Sequence, residues 1–452
     1  MRLRLLLALL LPSLQSLAQP AIPKPLSRAV IRHVSVLPMD RETVLRDQDV
    51  WVRDGRIEKI GPAVNRLDDK DVFIIDGNGK YLMPGLAEMH AHVPPVNDIA
   101  PMKEVLQLFA VNGITTIRGM LGHPLHLALR DSIQRGTIAG PRFITSGPSF
   151  NGNSVKAPED GPALIEAQKK AGYDFLKLHP GLTPETFAPI VRKARELNIP
   201  FAGHVSYTVG VERAIDAGYA TIDHMDGFME YLVPDIASVT EQAAVPFALY
   251  VGYRADLSRI PALVAKLKAK QIWVVPTQCL YEKWFSPGDA APWMQKPEMI
   301  YMSPQTRANW AASKKSATSQ PLYDSAHVRR YMEIRRLLLK ALHDGGVNIL
   351  LGSDAPQVFD VPGFSAHDEI GYYVQAGLTP YQALRTGTVN AGLFLGDDKI
   401  GTIKAGAYAD LILLSANPLE SIDNTRKIEG VMVQGRWIDK SLAQAILKSL
   451  EK

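Results

Sequence analysis

Residues 81–93, "YLMPGLAEMHAHV", combine an apolar run with two histidines that are spaced one residue apart. The run follows Pro84-Gly85 and ends at His90 and His92. In a β-strand, residues i and i+2 point to the same face, so the two imidazoles would lie side by side. Such a pair can bind a metal ion, but two polar residues at a fraying strand end would give the same pattern. The rest of the chain has to distinguish the two interpretations.

After this stretch, short apolar segments alternate with longer amphipathic ones. Eight of the apolar segments are interpreted as strands: LAEMHAHV, ITTIRGM, RFITSG, DFLKLH, PFAGHV, TIDHM, WVVPTQC and ILLGSDAP. Strands that are separated by helices pair in parallel through right-handed crossovers, and eight of them predict a (β/α)₈ barrel of the TIM type. A Rossmann-like open sheet is the alternative, but no Gly-rich phosphate turn follows the early strands.

The segments on either side of the predicted barrel are rich in β-branched residues and Gly-containing turns. We predict that residues 29–83 and 401–441 form the two parts of one small β-sandwich domain, beside a barrel at residues 84–400. A tether at residues 19–28 would precede the sandwich, and a C-terminal helix or tail would occupy residues 442–452. The predicted fold class is therefore α/β, a (β/α)₈ barrel with a β-sandwich built from both terminal segments.

Residues 1–18 are typical of a secretory signal peptide. Two arginines precede the apolar run at residues 5–11, and Ser16-Leu17-Ala18 offers small residues for cleavage near Ala18. The run is far shorter than the ~20 residues that a membrane-spanning helix needs. We therefore expect an exported protein, periplasmic or secreted, without stable insertion in a membrane.

The composition excludes several classes of partner. The 452 residues are 46% hydrophobic and 21% charged, as in ordinary globular proteins, and the net charge is only +4. No basic run with interleaved aromatic residues is present, so nucleic acid is not an expected partner. The single cysteine, Cys279, excludes an intramolecular disulfide. The expected partner is a small-molecule substrate, and the sequence leaves homo-oligomerisation open.

Six side chains suited to metal binding stand at the ends of the predicted strands. In a barrel, the carboxyl ends of the strands converge on one site, and closure places strand eight beside strand one. The six are His90 and His92 on strand one, Lys177 on strand four, His204 on strand five, His224 on strand six and Asp354 on strand eight. Two groups of ligands with a lysine between them suggest two metal ions.

Lys177 is the unusual member of this set. A protonated ammonium beside divalent metal ions would be repelled, so such a site would lower the pKa of the lysine. The neutral amine can take up carbon dioxide as a carbamate, whose oxygens would bridge two ions ~3.5–4 Å apart. The alternative is a lysine that reaches out of the barrel to a carboxylate such as Asp174. The residues alone leave both interpretations open.

The ordered set MPGLAEMHAHV, DFLKLH, GHV, IDHMD and LGSDAP resembles the amidohydrolase superfamily, in particular the imidazolonepropionase-like branch that includes metal-dependent prolidases. The resemblance covers essentially the whole mature chain, including the tail GLTPYQALRTGTVNAGLFLGDDKIGTIKAGAYADLILLSANPL. Two loops depart from the pattern. Arg118-Gly119-Met120-Leu121-Gly122 stands in place of Arg-Asp-x-Gly-Gly, and SGPSFNGNSVKAPED in place of a Thr-Gly-Gly-His loop. Because these loops shape the substrate pocket, the resemblance transfers the metal chemistry better than the specificity.

The resemblance implies a binuclear metal-dependent amidohydrolase, and the predicted signal peptide implies that it is exported. Such an enzyme would cleave C–N amide bonds in small molecules of the dipeptide or N-acyl amino acid type by attack of a metal-bridging hydroxide. Asp354 would contact the first ion and carry the proton to the leaving nitrogen, as the catalytic residue. The implied ligands of two divalent ions, expected to be Zn²⁺, are His90 and His92 for the more buried ion, His204 and His224 for the more exposed ion, and Lys177, carboxylated by carbon dioxide, as the bridge.

Three further residues are candidates for binding the substrate. His179 shares a strand face with Lys177, and a supporting contact behind the ligands is its alternative role. His367 follows strand eight, where a surface-loop histidine is the other interpretation. Arg254 would clamp a substrate carboxylate, unless it is simply a solvated charge.

Other functions compete with amide hydrolysis. A cyclic-amide or lactone hydrolase on the same site is the principal alternative. A deaminase is less favoured, because deaminases of this superfamily typically carry a glutamate three residues after the strand-five histidine, where this chain has Tyr207. A non-catalytic ligand-binding barrel would require a degraded set of ligands, and none of the six positions is missing.

Overall fold

The computed structural model describes residues 20–66, 71–241 and 246–452. The predicted signal peptide lies outside the described residues. Among the described residues, no helix is both long and apolar enough to cross a membrane.

The strands and helices alternate through the middle of the chain, and strands dominate both ends. The strands are β1 (Arg28–Val36), β2 (Leu45–Arg53), β3 (Arg56–Pro62), β4 (Phe73–Asp76), β5 (Tyr81–Pro84), β6 (Leu86–Ala91), β7 (Ile114–Gly119), β8 (Arg142–Thr145), β9 (Leu176–Leu178), β10 (Phe201–Gly203), β11 (Thr221–Asp223), β12 (Trp273–Val275), β13 (Leu411–Leu414), β14 (Ile428–Val433) and β15 (Arg436–Asp439).

The α-helices of the described residues follow the parallel strands or close the chain. They are α1 (Ile99–Val111), α2 (Pro124–Gln134), α3 (Asp160–Ala171), α4 (Pro184–Glu196), α5 (Val211–Ala217), α6 (Phe228–Leu232), α7 (Ile260–Ala269), α8 (Gln278–Trp284), α9 (Ala291–Met294), α10 (Pro304–Thr318), α11 (Ser325–Asp344), α12 (Phe364–Gln375), α13 (Pro380–Thr386), α14 (Val389–Leu395) and α15 (Lys440–Ser449). With these helices, the predicted α/β class is confirmed.

Both ends of the chain contribute to one eight-stranded sheet. Its order is β15–β14–β13–β5–β1–β2–β3, and β4 pairs with β1. The C-terminal strands join the N-terminal ones where β13 runs antiparallel to β5, with Ile412 opposite Met83. Two hairpins depend on turns with positive φ, at Asp54-Gly55 (48° and 72°) and at Gln434-Gly435 (50° and 73°), which glycine tolerates at the second position. The two terminal segments therefore do pair, while their packing as a sandwich stays a prediction.

The middle of the chain forms two parallel sheets, β6–β7–β8 and β9–β10–β11–β12. A parallel bridge between Ser146 and Phe175 joins the end of β8 to the start of β9. The side chains of both sheets are buried on nearly every position. This is expected where helices cover a parallel sheet.

The expected eighth strand is not a regular strand in the structure. Its residue Ile349 forms a parallel bridge with Val274 of β12. On the other side, Met89 N donates to Leu351 O at 2.8 Å, and Asp354 N donates to His90 O at 2.9 Å. The segment thus lies between the last strand of one parallel sheet and the first strand of the other. No single closed sheet is formed among the described residues, so closure of the barrel stays a prediction.

Candidate metal centre

Histidines from three strand ends meet within a few ångströms. The ring centroid of His90 lies 5.4 Å from that of His92 and 4.6 Å from that of His224, and His204 stacks on His224 at 4.2 Å. His90, His224 and Asp354 each place one ligand atom so that all three atoms lie within 4.8 Å of one another. His90 of β6 and His92, which follows β6, therefore lie close to the histidines that follow β10 and β11.

Asp354 lies between the two histidines of β6. Its Oδ1 is 2.6 Å from His92 Nε2 and 3.3 Å from His90 Nε2. Burial by itself would raise the pKa of Asp354, but the adjacent imidazoles of His90 and His92 hold that pKa well below its ordinary value. The carboxylate is therefore ionised at neutral pH, and its Oδ1 lies close to the Nε2 atoms of both histidines.

Three of the four histidines have their Nδ1 atoms next to an oxygen. Such a contact fixes the ring orientation and leaves Nε2 with the lone pair that a metal ion needs. The pairs are His90 Nδ1 with Asp223 Oδ2 at 2.9 Å, His204 Nδ1 with Asp226 Oδ2 at 2.7 Å, and His224 Nδ1 with Thr277 Oγ1 at 2.9 Å. Burial lowers the pKa of both His204 and His224 well below the ordinary value, so both imidazoles are neutral at neutral pH.

Asp223 is in turn held by groups deeper in the sheet. Thr221 Oγ1 donates to Asp223 Oδ1 at 2.6 Å, and Arg118 Nη2 approaches the same oxygen at 3.4 Å. Burial would raise the pKa of Asp223, but the charge of Arg118 and the contact with His90 lower it below its ordinary value. Asp223 therefore stays ionised, with its Oδ2 at 2.9 Å from His90 Nδ1.

Lys177 is fully buried, and among the described residues its Nζ has no hydrogen-bond partner. Burial lowers the pKa of the amine, and the nearby carboxylates of Asp223 and Asp354 oppose this effect without reversing it. The alternative partner, Asp174, accepts instead from Arg130 Nη1 at 3.1 Å through both of its oxygens. The outward salt bridge is therefore not what the structure shows.

Of the three candidate substrate contacts, only His179 lies beside the histidine cluster. Its ring stacks on that of His204 at 5.0 Å, and its Nδ1 has no partner among the described residues. His367 is buried elsewhere, with Nδ1 bonded to Thr425 Oγ1 and Nε2 to the carbonyl of Asn112, each at 3.0 Å. Both of its ring nitrogens are therefore already engaged.

Arg254 is also not brought to the cluster. It stands on a short 3₁₀ turn, Gly252–Arg254, and forms an ion pair with Asp235. A guanidinium that is already paired on a partly exposed turn cannot clamp a carboxylate at the histidines without leaving Asp235. The ion pair joins residues that are 19 positions apart, so no local sequence pattern distinguishes it from a free guanidinium.

Sequence reasoning missed the residues that support the ligands. Asp223 and Asp226 flank His224 in the IDHMD motif, and Arg118 is the arginine that matches the family's Arg-Asp-x-Gly-Gly loop, so these motifs indicated them. No local pattern indicates Thr277. Phe247 was also missed. Its ring lies 6.2 Å from that of His204 and 6.0 Å from that of His224, and it covers this side of the cluster.

The amidohydrolase family model matches residues 81–438, so the chain belongs to the amidohydrolase family. The family that the motifs predicted is thereby confirmed, and the chain is a hydrolase that acts on carbon–nitrogen bonds.

Among proteins with curated descriptions, the ochratoxinase of Aspergillus niger is 24% identical over 376 residues, which are 75% of this chain and 71% of that protein. Two solved structures share the fold. Bottromycin amidohydrolase superposes with a TM-score of 0.71 at 21% identity, covering 94% of this chain and 91% of that one. A Xaa-Pro dipeptidase with bound methionine gives 0.66 at 19% identity, covering 91% and 100%. At these identities, the solved structures establish the fold alone.

Gly203 offers a test of how Lys177 is placed. Its φ is +121°, and a Cβ there would lie 2.8 Å from Lys177 Cδ and 2.5 Å from Leu178 O. Gly203→Ala should therefore displace Lys177 and lower the unfolding free energy by about 1–3 kcal/mol from overpacking, in addition to strain in the backbone. Thermal or denaturant unfolding, together with the metal content by mass spectrometry, measures both effects.

Gly218 provides the matched control. Its φ is +76°, and a Cβ there would meet nothing within 4 Å. Gly218→Ala should lose only about 1–2 kcal/mol to left-handed strain and keep the metal content of the parent. Equal metal content in both variants would contradict the placement of Lys177 by Gly203.

Proposed function

We propose that the chain is an exported, binuclear metal-dependent amidohydrolase. It would cleave an amide bond in small molecules of the dipeptide or N-acyl amino acid type. The observation that carries the proposal is the burial of Lys177 near His92, His204, His224 and Asp354, with no partner for its Nζ among the described residues. A buried amine without an acceptor is costly in an ordinary core. A lysine that bridges two metal ions as a carbamate would avoid this cost.

The residues present fit two metal ions. His224 Nε2 and Lys177 Nζ are buried without hydrogen-bond partners among the described residues. Unpartnered donor atoms of this kind are expected where a bound metal ion would supply the missing partner. Imidazole and carboxylate donors with no thiol favour zinc among the available divalent ions. His90, His92 and Asp354 would hold one ion and His204 with His224 the other, while Lys177, as a carbamate, would supply oxygens to both.

The two parallel sheets support a closed barrel. The bridge between Ser146 and Phe175 links them on one side, and the segment at residues 349–354 contacts both β12 and β6 on the other. If the strands close in this order, β6 and the segment bearing Asp354 are neighbours, as a (β/α)₈ barrel requires. Closure would then explain why the ligands of distant segments meet.

Metal ions bound at these residues would activate water and polarise the scissile carbonyl. The protein's own contribution is orientation and proton transfer. Asp354, ionised by its contacts with His90 and His92, would accept a proton on its carboxylate and return it to the leaving nitrogen. His179, neutral because burial lowers its pKa, would offer Nδ1 to a polar group of the substrate.

The substrate type rests on the relatives and on the site together. The Xaa-Pro dipeptidase is by name a hydrolase of dipeptides, and ochratoxinase is by name an enzyme that acts on the small molecule ochratoxin; this chain shares the fold of both. Phe247 beside the histidines favours a substrate with an apolar part. A screen of dipeptides, N-acyl amino acids and lactones with the purified, metal-loaded protein should find turnover of amides above that of lactones. Faster turnover of lactones would favour the alternative function.

Removal of single ligands tests the site. His90→Ala and His204→Ala should each lower the metal content below two ions per chain, because each loses one imidazole from a different half of the site. Turnover should fall more than about 100-fold, since even changes to groups that merely support ligands cost 10–100-fold. Metal analysis by mass spectrometry and steady-state kinetics measure these effects. Full metal content with normal turnover in both variants would refute the site.

Lys177→Ala tests the bridge. The variant should lose at least one ion, because two cations at close range repel each other once the bridging anion is gone. Formate at high concentration should restore part of the activity to Lys177→Ala, by occupying the vacated space, and none to His90→Ala.

A second buried lysine serves as the control. Lys314 donates to the carbonyls of Ser286 at 2.7 Å and Lys283 at 3.0 Å, away from the histidines. Lys314→Met should destabilise the protein and keep both metal ions. A Lys177→Ala variant that also keeps both ions and normal turnover would show that the bridging role is wrong.

Export is proposed from the N-terminal sequence alone. Cleavage near Ala18 would place the mature N-terminus at Gln19, outside the cytoplasm. The intact mass of the natively expressed protein measures the cleavage. A full-length product in the cytosol would end this part of the proposal.

A further inference from the structure

The amino ends of the parallel strands enclose a second cavity, at the opposite end of the strands from the histidines. Its volume is about 590 Å³, within the range of small-molecule sites. The wall includes the residues that begin or precede four successive strands: Arg142, Phe175, Pro200 and Ala220. Phe394, Leu395 and Ile400, on α14 and the loop that follows it, complete the wall. In barrel enzymes this end of the strands usually serves stability, so a cavity here needs its own explanation.

One buried cation lines this cavity with part of its donor set unused. Arg118 is 1% exposed, and its Nε donates to the carbonyl of Met89 at 2.7 Å. Its Nη2 donates to Thr221 Oγ1 at 3.1 Å and approaches Asp223 at 3.4 Å. Among the described residues, Nη1 has no acceptor, although each guanidinium nitrogen carries protons to donate. The contacts with Met89 and with Thr221 and Asp223 account for Nε and Nη2, and none of them uses Nη1.

The surroundings of Arg118 restrict what could bind to it. The guanidinium carbon lies 5.4 Å from the ring centroid of Phe175 and 5.2 Å from that of Phe394, and both rings belong to the cavity wall. Contacts of this kind use the face of the guanidinium plane, whereas the N–H bonds of Nη1 lie in the plane. A ligand would therefore meet the edge of the guanidinium, which suits the planar oxygens of a carboxylate.

The other charges on the wall are already compensated or stand near the entrance. Arg142 Nε donates to Asp410 Oδ2 at 2.9 Å, and Asp174 accepts from Arg130. Asp397 lies at the partly exposed rim. Gln134 and Gln434 are the uncharged polar residues of the wall, and the rest is apolar or aromatic. The cavity therefore presents the Nη1 edge of Arg118, whose charge is paired with Asp223 through Nη2, beneath a largely apolar chamber.

We propose that this cavity binds a small carboxylate with an apolar, ring-sized body. One carboxylate oxygen accepts from Arg118 Nη1, and the body packs against Phe175, Phe394 and Leu395. The site is separate from the metal centre and does not depend on the proposed reaction. It shares only Arg118, whose Nη2 also holds the carboxylate that supports His90.

Calorimetric titration of the metal-loaded, full-length protein with benzoate tests the proposal. Benzamide is the matched probe, since it has the same ring and no charge. Benzoate should bind, and benzamide should bind roughly 10-fold more weakly or worse, because it loses a hydrogen bond between charged groups. Cyclohexanecarboxylate, a carboxylate with a non-aromatic ring, is the second charged probe. Equal affinities for benzoate and benzamide would overturn the proposal, and so would the failure of both carboxylates to bind.

Two variants test whether benzoate binds in this cavity. Ile400→Trp and Leu395→Trp would each fill the chamber from its outer wall, without touching Arg118 or the histidines. Each should weaken benzoate binding about 10-fold or more and leave turnover unchanged, and two positions guard against one variant that fails to fold. Unchanged benzoate affinity in a folded variant at both positions would show that benzoate binds elsewhere, such as at the metal ions, and would overturn the assignment.

Discussion

Three oxygen acceptors fix the buried imidazoles, and the geometry of the candidate centre depends on them. Asp223, Asp226 and Thr277 each lie within 3 Å of a histidine Nδ1. A polar nitrogen in a core is costly unless it has a partner. His204 and His224 meet this need by hydrogen bonds from Nδ1, and the Nδ1 of His90 lies at ion-pair distance from Asp223, so these contacts favour one orientation of each ring. The consequence is that the Nε2 atoms of His90 and His92 face Asp354, while the rings of His204 and His224 stack beside them. The strands determine the approximate positions of the histidines, and these three contacts determine the orientation of three of the rings.

The same constraint connects the two ends of the strands. Arg118 compensates the buried charge of Asp223, and Asp223 supports His90. The guanidinium of Arg118, which lines the cavity at the amino ends of the strands, thus stabilises the anion beside a histidine on the carboxyl side. Stability and function are not carried by separate residues here, because a carboxylate that holds a ligand must itself be held.

Much of this arrangement was predictable from the sequence, for identifiable reasons. The His-x-His spacing at residues 90 and 92 fixes two rings on one strand face, and the periodic alternation of strands and helices brings later strand ends to the same edge. The structure does bring His90, His92, His204, His224 and Asp354 together. The family followed from five short motifs in order, and the match over residues 81–438 confirms it.

The sequence could not predict contacts between segments that are far apart in the chain. Thr277 supports His224 across 53 residues, and nothing in the local sequence marks it. His367 and Arg254 were predicted to contact the substrate because their actual partners depend on tertiary packing. His367 bonds to Thr425 and to the carbonyl of Asn112, and Arg254 pairs with Asp235. The expected eighth strand is held by backbone bonds to two neighbours and lacks a regular ladder, which periodicity cannot reveal.

The central claim is that the buried lysine is a ligand that bridges two cations. Anomalous diffraction at the zinc absorption edge, from crystals of the metal-loaded protein, tests it most directly. The account predicts two anomalous peaks ~3.5–4 Å apart, one beside His90 and His92 and one beside His204 and His224, with additional density on Lys177 Nζ between them. A single peak with an unmodified lysine, or no peak among these residues, would contradict it.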